Sequence, residues 1–273
     1  ALLAGFDDDY DANDREANIR KAVRITGAAP TIVAAGHRIR VGQEPIDPDP
    51  SLGTAGNFLY MLSGQRPDAY TEKVFDATLT LYAEHGFNAS TFAARVCVAT
   101  LSDIYSGIVT GIGTLKGPLH GGANEEAMRM LQEIGAPENA EGWIRDALAN
   151  KKKIMGFGHR EYKKGDSRAM WLTPKAKELG QRKGETKWGD IADTLERVML
   201  EEKGLYPNVD FPAAYFYYLL GIPIDLYTPI FVIARVTGWS AHIVEQLDNN
   251  RLIRPKAIYE GPSNIEFVPL DRR

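Results

Sequence analysis

Apolar residues recur at helical spacing along almost the whole chain. Val74, Phe75, Thr78, Leu79, Leu81 and Tyr82 fall on one face after Thr71, which reads as an N-cap. Ile191, Leu195, Val198 and Met199 repeat at i, i+4, i+7 and i+8, with Asp190 placed to cap. Ala123 to Ile134 predicts a helix closed by Gly135. Trp143, Ile144, Ala147 and Leu148 predict another, running into Lys151, Lys152 and Lys153, cations that suit a helix C-terminus. Ala89 to Leu115 carries only Arg95 and Asp103 as charges and predicts one long helix buried on most sides, at the centre of a domain or at a subunit interface. Pro229 to Leu247 predicts a further long helix with Pro229 in its first turn. Pro45, Pro48 and Pro50 make a stiff connector between the first helices. No sustained strand alternation and no internal repeat is visible, so the expected class is all-α.

A chain of 273 residues has room for one large domain or two small ones and for a substantial core. Its 44% hydrophobic and 25% charged residues exclude disordered, collagenous and coiled-coil classes. No segment suits a membrane span: residues 50–65 are too polar, and Phe211 to Ile224 is short and holds Pro212 and Pro223. No charged segment followed by an apolar one opens the chain, so no signal peptide is expected. The single cysteine, Cys97, fits a reducing compartment, and a cytoplasmic location is expected. The net charge of −4 excludes a general polycation, but it is unevenly spread. Arg145 to Lys187 carries +8 and the remainder −12, which reads either as a local anion site or as a solvated lysine-rich surface.

Glycine-rich stretches at 111–122 and 156–158 interrupt the helices where polar groups cluster. His120 lies between Leu119 and Gly121 just ahead of a helix. There the positive dipole end favours a neutral imidazole able to donate to an oxyanion, and a turn histidine capping the helix fits equally. His159 follows Gly156-Phe157-Gly158 and precedes Arg160, Lys163, Lys164 and Arg168, as an anion site or a basic loop. Asp210, among Tyr206-Pro207-Asn208-Val209 and Phe211-Pro212, is either a partly desolvated base or an Asx turn or N-cap. His85 falls at a helix junction, and His37 and His242 read as structural. The sequence holds no HExxH, no paired cysteines, no Gly-x-Ser-x-Gly elbow and no Walker or dinucleotide glycine motif, so no metal site is expected.

Three segments taken together resemble the citrate synthase family. They are Gly117-Pro118-Leu119-His120-Gly121-Gly122-Ala123-Asn124, Gly156-Phe157-Gly158-His159 with Arg168 nine residues on, and Tyr206-Pro207-Asn208-Val209-Asp210. The similarity extends from Glu16-Ala17-Asn18-Ile19-Arg20-Lys21-Ala22 to Arg254-Pro255, in the style of the bacterial dimeric citrate and 2-methylcitrate synthases. The resemblance implies a large helical domain of residues 1–122 and 224–273, a small one of residues 123–223, and an active site in the cleft between them. It also implies a homodimer. The family's N-terminal helical region has no counterpart before Ala1, so an absent N-terminal part is expected.

By the same resemblance, Asp210 matches the base that deprotonates the acetyl-CoA methyl group. His120 matches the donor to the thioester oxygen, and His159 the group that polarises the oxaloacetate ketone and protonates the alkoxide. His85, Arg168, Arg235 and Arg254 match oxaloacetate and citrate ligands, with Arg254 expected across the dimer interface. Lys153, Ile154 and Gly156 match the adenine-lining backbone, and Lys163 and Lys203 match positions near the coenzyme phosphates. The implied activity is formation of citrate from acetyl-CoA and oxaloacetate, with a coenzyme A thioester as co-substrate and no permanently bound cofactor. The alternatives are a 2-methylcitrate synthase using propionyl-CoA, or both acyl-CoAs, and a non-catalytic CoA-binding helical dimer. No nucleic acid or membrane partner is expected. Three positions depart from the family pattern: Glu161 after His-Arg, Gly86 after His85, and the bulky run Ala213-Ala214-Tyr215-Phe216-Tyr217, expected to reshape the acyl pocket.

Overall fold

The computed structural model describes residues 1–117, 120–159 and 161–273. Pro118 and Leu119 of the His120 motif, and Arg160 of the His159 loop, lie outside the described residues. Within those bounds the chain is helical with no sheet, and a lone antiparallel bridge joins Phe157 to Pro207. No helix among the described residues is long and apolar enough to cross a membrane.

The first five helices are α1 (Arg15–Arg40), α2 (Thr54–Ser63), α3 (Ala69–Ala83), α4 (Ala89–Val98) and α5 (Ile104–Leu115). Then follow α6 (Ala123–Ile134), α7 (Pro137–Ala149), α8 (Ser167–Lys183), α9 (Lys187–Lys203), α10 (Asp210–Leu219) and α11 (Tyr227–Asp248). The proline-rich connector separates α1 from α2, Gly135 closes α6, and Pro229 sits in the first turn of α11, all as expected. Ile191, Leu195, Val198 and Met199 are all buried on α9.

Several local expectations are corrected. The run from Ala89 to Leu115 is two helices. Leu101 takes a left-handed φ of 68°, and the Asp103 carboxylate then accepts from Ser106 N–H to start α5. Within this single chain Phe92, Val109 and Ile112 of that run are exposed. The cap of α3 is Asp68, not Thr71: its carboxylate accepts from the Tyr70 and Thr71 N–H groups, and Thr71 is a buried first-turn residue. Asp190 lies inside the first turn of α9 and accepts from Thr186 Oγ1 rather than capping the backbone. Lys151, Lys152 and Lys153 fall beyond the end of α7.

Helix α11 is the axis of one packing group, in contact with α1, α3, α4 and α5. Gly238 permits this: a Cβ there would lie 2.2 Å from the Ala83 carbonyl at the end of α3. Trp239 is fully buried at the same level. In a second group α10 packs on α6 and α8, and α7 packs on α9. The run Phe211 to Tyr217 fills that group's interior, because a helix apolar on every side is stable only when surrounded. The two groups meet where α3 touches α8 and α11 touches α6, and the polar residues gather at that seam.

Candidate active site

A cavity of about 550 Å³ opens at the seam. Its lining includes His85, His120, His159, Arg168, Asp210 and Arg235, brought together from positions up to 150 residues apart. Lys153, Ile154 and Gly156 border the same cavity. Arg254 does not reach it within its own chain, lying exposed in the irregular C-terminal segment. Lys163 and Lys203 are also exposed and outside the lining, and the Lys163 ammonium donates to the His159 carbonyl at 3.0 Å.

Two segments are stitched together to hold the carboxylate. Asn208 N–H donates to the Gly156 carbonyl at 2.9 Å, Gly158 N–H to the Tyr206 carbonyl at 2.8 Å, and the Asn208 side-chain amide to the Gly158 carbonyl at 3.0 Å. Gly156 (φ +81°) allows the approach, since a Cβ there would stand 2.8 Å from Phe211 Cβ. Asp210 emerges from this clasp as the first residue of α10, its N–H donating to Asn208 Oδ1 at 3.1 Å. It is the first helical residue, and not a cap. Tyr82 donates its hydroxyl to Asp210 Oδ1 at 2.7 Å. Burial raises the Asp210 pKa, while the Tyr82 hydrogen bond and the Arg168 and Arg235 charges pull the other way.

The histidines are held in distinct ways. His159 Nδ1 accepts from the Glu161 and Tyr162 N–H groups at 3.1 and 3.2 Å, which assigns the proton of the neutral ring to Nε2. The His159 ring stacks on Tyr162 at 4.6 Å and meets His85 edge to face at 4.9 Å. Burial, with Arg168 second, lowers the pKa of both His85 and His159. His120 Nε2 lies 2.8 Å from Ser90 Oγ, which also receives Trp239 Nε1–H at 3.1 Å and lies 2.8 Å from Asn88 Oδ1. The single Ser90 proton has two acceptors. When it goes to His120 Nε2, the ring proton sits on Nδ1. Burial, aided by Arg235, lowers the His120 pKa to about 4. The ring is therefore neutral because it is desolvated, and the helix dipole is not needed to explain it.

The two arginines differ. Arg168 is locked to Asp166, with Nε and Nη2 contacts of 3.0 and 2.8 Å, and Asp166 also accepts from Val209 N–H at 3.1 Å. That pairing outweighs burial and raises the Arg168 pKa. Arg235, 1% exposed, donates Nε–H to the Tyr82 carbonyl at 2.7 Å, and its Nη1 has no partner among the described residues. Burial and the Arg168 charge lower its pKa to about 10. Two desolvated guanidinium groups that repel each other make a site for a small dianion.

Sequence reasoning missed Tyr82, Ser90, Asp166 and Trp239 as site residues. Tyr82 and Trp239 hide in apolar helix faces, and Asp166 in a cap of α8. The run Ala213 to Tyr217 is buried and lies outside the cavity lining, and Tyr217 at its end packs on Phe75 of α3 and Tyr227 of α11. Part of the +8 segment is paired with carboxylates outside it: Arg145 with Glu141 and Glu202, Lys152 with Glu133 and Lys177 with Asp193.

Comparison with known proteins agrees with this geometry. Residues 1–256 match the family model described as citrate synthase, C-terminal domain. The chain is 54% identical over its whole length to citrate synthase 2 of Bacillus subtilis, covering 73% of that protein. It is 50% identical to a 2-methylcitrate synthase of Mycobacterium tuberculosis, over 93% of this chain and 65% of that protein. It superposes with a TM-score of 0.91 at 37% identity on a citrate synthase from Thermoplasma acidophilum, solved as a ternary complex with carboxymethyl coenzyme A and oxaloacetate. That match spans all of this chain and 73% of the other. The chain belongs to the citrate synthase family.

Proposed function

We propose that this chain condenses acetyl-CoA with oxaloacetate and hydrolyses the citryl thioester, releasing citrate and CoA. The observation that carries this reading is the convergence of Asp210, His120, His159, Arg168 and Arg235 on one cavity. A thioester α-proton is far less acidic than a carboxyl group, so a base alone cannot remove it. Asp210 takes the proton while His120 donates from Nδ1 to the thioester oxygen. A preorganised donor of this kind is worth about 3–4 kcal/mol. His159, with its proton on Nε2, polarises the ketone and protonates the new alkoxide. Arg168, Arg235 and His85 hold the two carboxylates of oxaloacetate, and the buried Nη1 of Arg235, without a partner among the described residues, has donor capacity left for one of them.

Lys153, Ile154 and Gly156 border the coenzyme, with Lys163 and Lys203 nearer its phosphates. The two packing groups act as a large domain of residues 1–122 and 224–273 and a small one of residues 123–223. Their closure excludes water until the carbon–carbon bond has formed. The enzyme works as a homodimer in which Arg254 of the partner subunit completes the carboxylate site. A cytoplasmic setting suits the lone thiol Cys97.

The deciding experiment is kcat/KM for acetyl-CoA and propionyl-CoA with oxaloacetate, with the products identified by mass. A preference for acetyl-CoA and formation of citrate is expected. One methylene is worth only about 1–3 kcal/mol in an apolar pocket, so some propionyl-CoA turnover is compatible. A preference for propionyl-CoA makes the chain a 2-methylcitrate synthase instead, and CoA binding without turnover of either thioester overturns the enzymatic reading.

A further inference from the structure

Tyr82 ends the apolar stripe of α3, three residues before His85, and is 1% exposed. Its ring meets Phe231 edge to face at 4.7 Å, and its carbonyl accepts from Arg235. A phenol this deeply buried needs a partner for its proton, and its partner is Asp210 Oδ1. Among the described residues no other group donates a hydrogen bond to the Asp210 side chain.

We propose that Tyr82 is a positioning residue for the general base: its hydroxyl occupies Oδ1 of Asp210 and leaves Oδ2 to receive the acyl-CoA proton. This rests on the reading of Asp210 as the base. In the step concerned the methyl C–H bond breaks and an O–H bond forms on Oδ2. The electron pair moves into the carbon–carbon bond, and the charge gathers on the thioester oxygen facing His120.

One hydrogen bond thereby does two things. It fixes the plane of a carboxylate that could otherwise turn, and it favours the ionised form against the cost of burial. The other charged or titratable groups facing Asp210 are Arg168 and Asp166 at the start of α8, Arg235 on α11 and Tyr217 on α10. They act on it through space. None can set which oxygen is free.

The test compares Tyr82→Phe and 4-aminophenylalanine at position 82 with wild type in the active enzyme, following kcat and KM from mildly acid to alkaline pH. Tyr82→Phe is expected to move the acid limb of kcat upward by about one pH unit, lowering kcat by up to about tenfold at pH values below the limb. Most of the loss returns on the alkaline side, and the KM for oxaloacetate stays within about twofold. The aminophenylalanine variant, a weaker donor in the same place, gives a smaller upward shift, and it carries the test if the phenylalanine variant does not fold. A limb that stays put, or a loss carried by the oxaloacetate KM, overturns the proposal. Asp210→Asn separates the two levels. If it retains wild-type turnover, the base assignment itself fails. If it is inactive while Tyr82→Phe keeps the wild-type limb, only the positioning role fails.

Discussion

His120 and Asp210 face one cavity with opposite demands on their charge, and burial serves the first while opposing the second. Desolvation keeps His120 neutral, with a pKa of about 4, so its ring can donate without first losing a proton. The same desolvation raises the Asp210 pKa, and the Tyr82 hydrogen bond and the two arginines restrain it. His120→Gln is therefore expected to lower kcat by about 10²–10³ with little change in the KM for oxaloacetate, as steady-state kinetics would report. Burial, with the Arg168 charge second, also lowers the His85 and His159 pKa values, the direction that favours the neutral rings. Turnover is expected to rise with pH as Asp210 ionises, and a profile that falls with rising pH on the acid side would contradict its role as the base. At this scale the sequence was informative where glycine or proline framed a polar residue, as at His120, His159 and Asp210. It was silent where a functional group used an ordinary packing position. Tyr82 reads as one more residue of a helix face, and Asp166 as one more cap.

Helix periodicity located the elements well because each buries one apolar stripe, but it failed where the stripe does not stop. The small-residue run from Ala89 to Leu115, with only Arg95 and Asp103 charged, contains no proline, and its break comes from Leu101 and the Asp103 cap, which the apolar pattern does not mark. The cap of α3 was misread because Asp68 and Thr71 are both good N-caps, and only the structure shows which carboxylate meets the backbone. The clasp ahead of α10 yields a direct test. Gly156→Ala puts a Cβ at a φ of +81° and 2.8 Å from Phe211 Cβ. A loss of about 1–3 kcal/mol of stability is expected, with lower kcat, read by denaturant unfolding and kinetics. Glu196 on α9 is a second test. Burial raises its pKa to about 7, one carboxylate oxygen has no partner among the described residues, and the Tyr215 hydroxyl of α10 is likewise unpaired. Its folded pKa lies above the unfolded one, so its contribution is present below the unfolded value and lost as pH rises through about 7. Glu196→Gln is thus expected to raise Tm at about pH 8 and to change it little at about pH 4. Thermal unfolding at both values checks this.

Across the whole molecule, the site exists only because two helix groups meet. His85 and Arg235 come from the group built on α11, and His159, Arg168 and Asp210 from the group around α10. No spacing along the chain states that juxtaposition. It became legible through three motifs read together as one family's pattern. The charge asymmetry was only partly informative at this scale: Arg145, Lys152 and Lys177 of the +8 segment pair with carboxylates outside it, while Arg168 of the same segment lines the cavity with Arg235 from α11. The central claim is that this seam performs carbon–carbon bond formation with Asp210 as the base. Oxaloacetate-dependent release of free CoA thiol from acetyl-CoA, measured for wild type and Asp210→Asn at equal, verified folding, tests it most directly. The account predicts steady thiol release with citrate as the product in wild type, and a loss of at least about 10³-fold in the variant. Equal rates in the two proteins, or no thiol release from wild type, would contradict it.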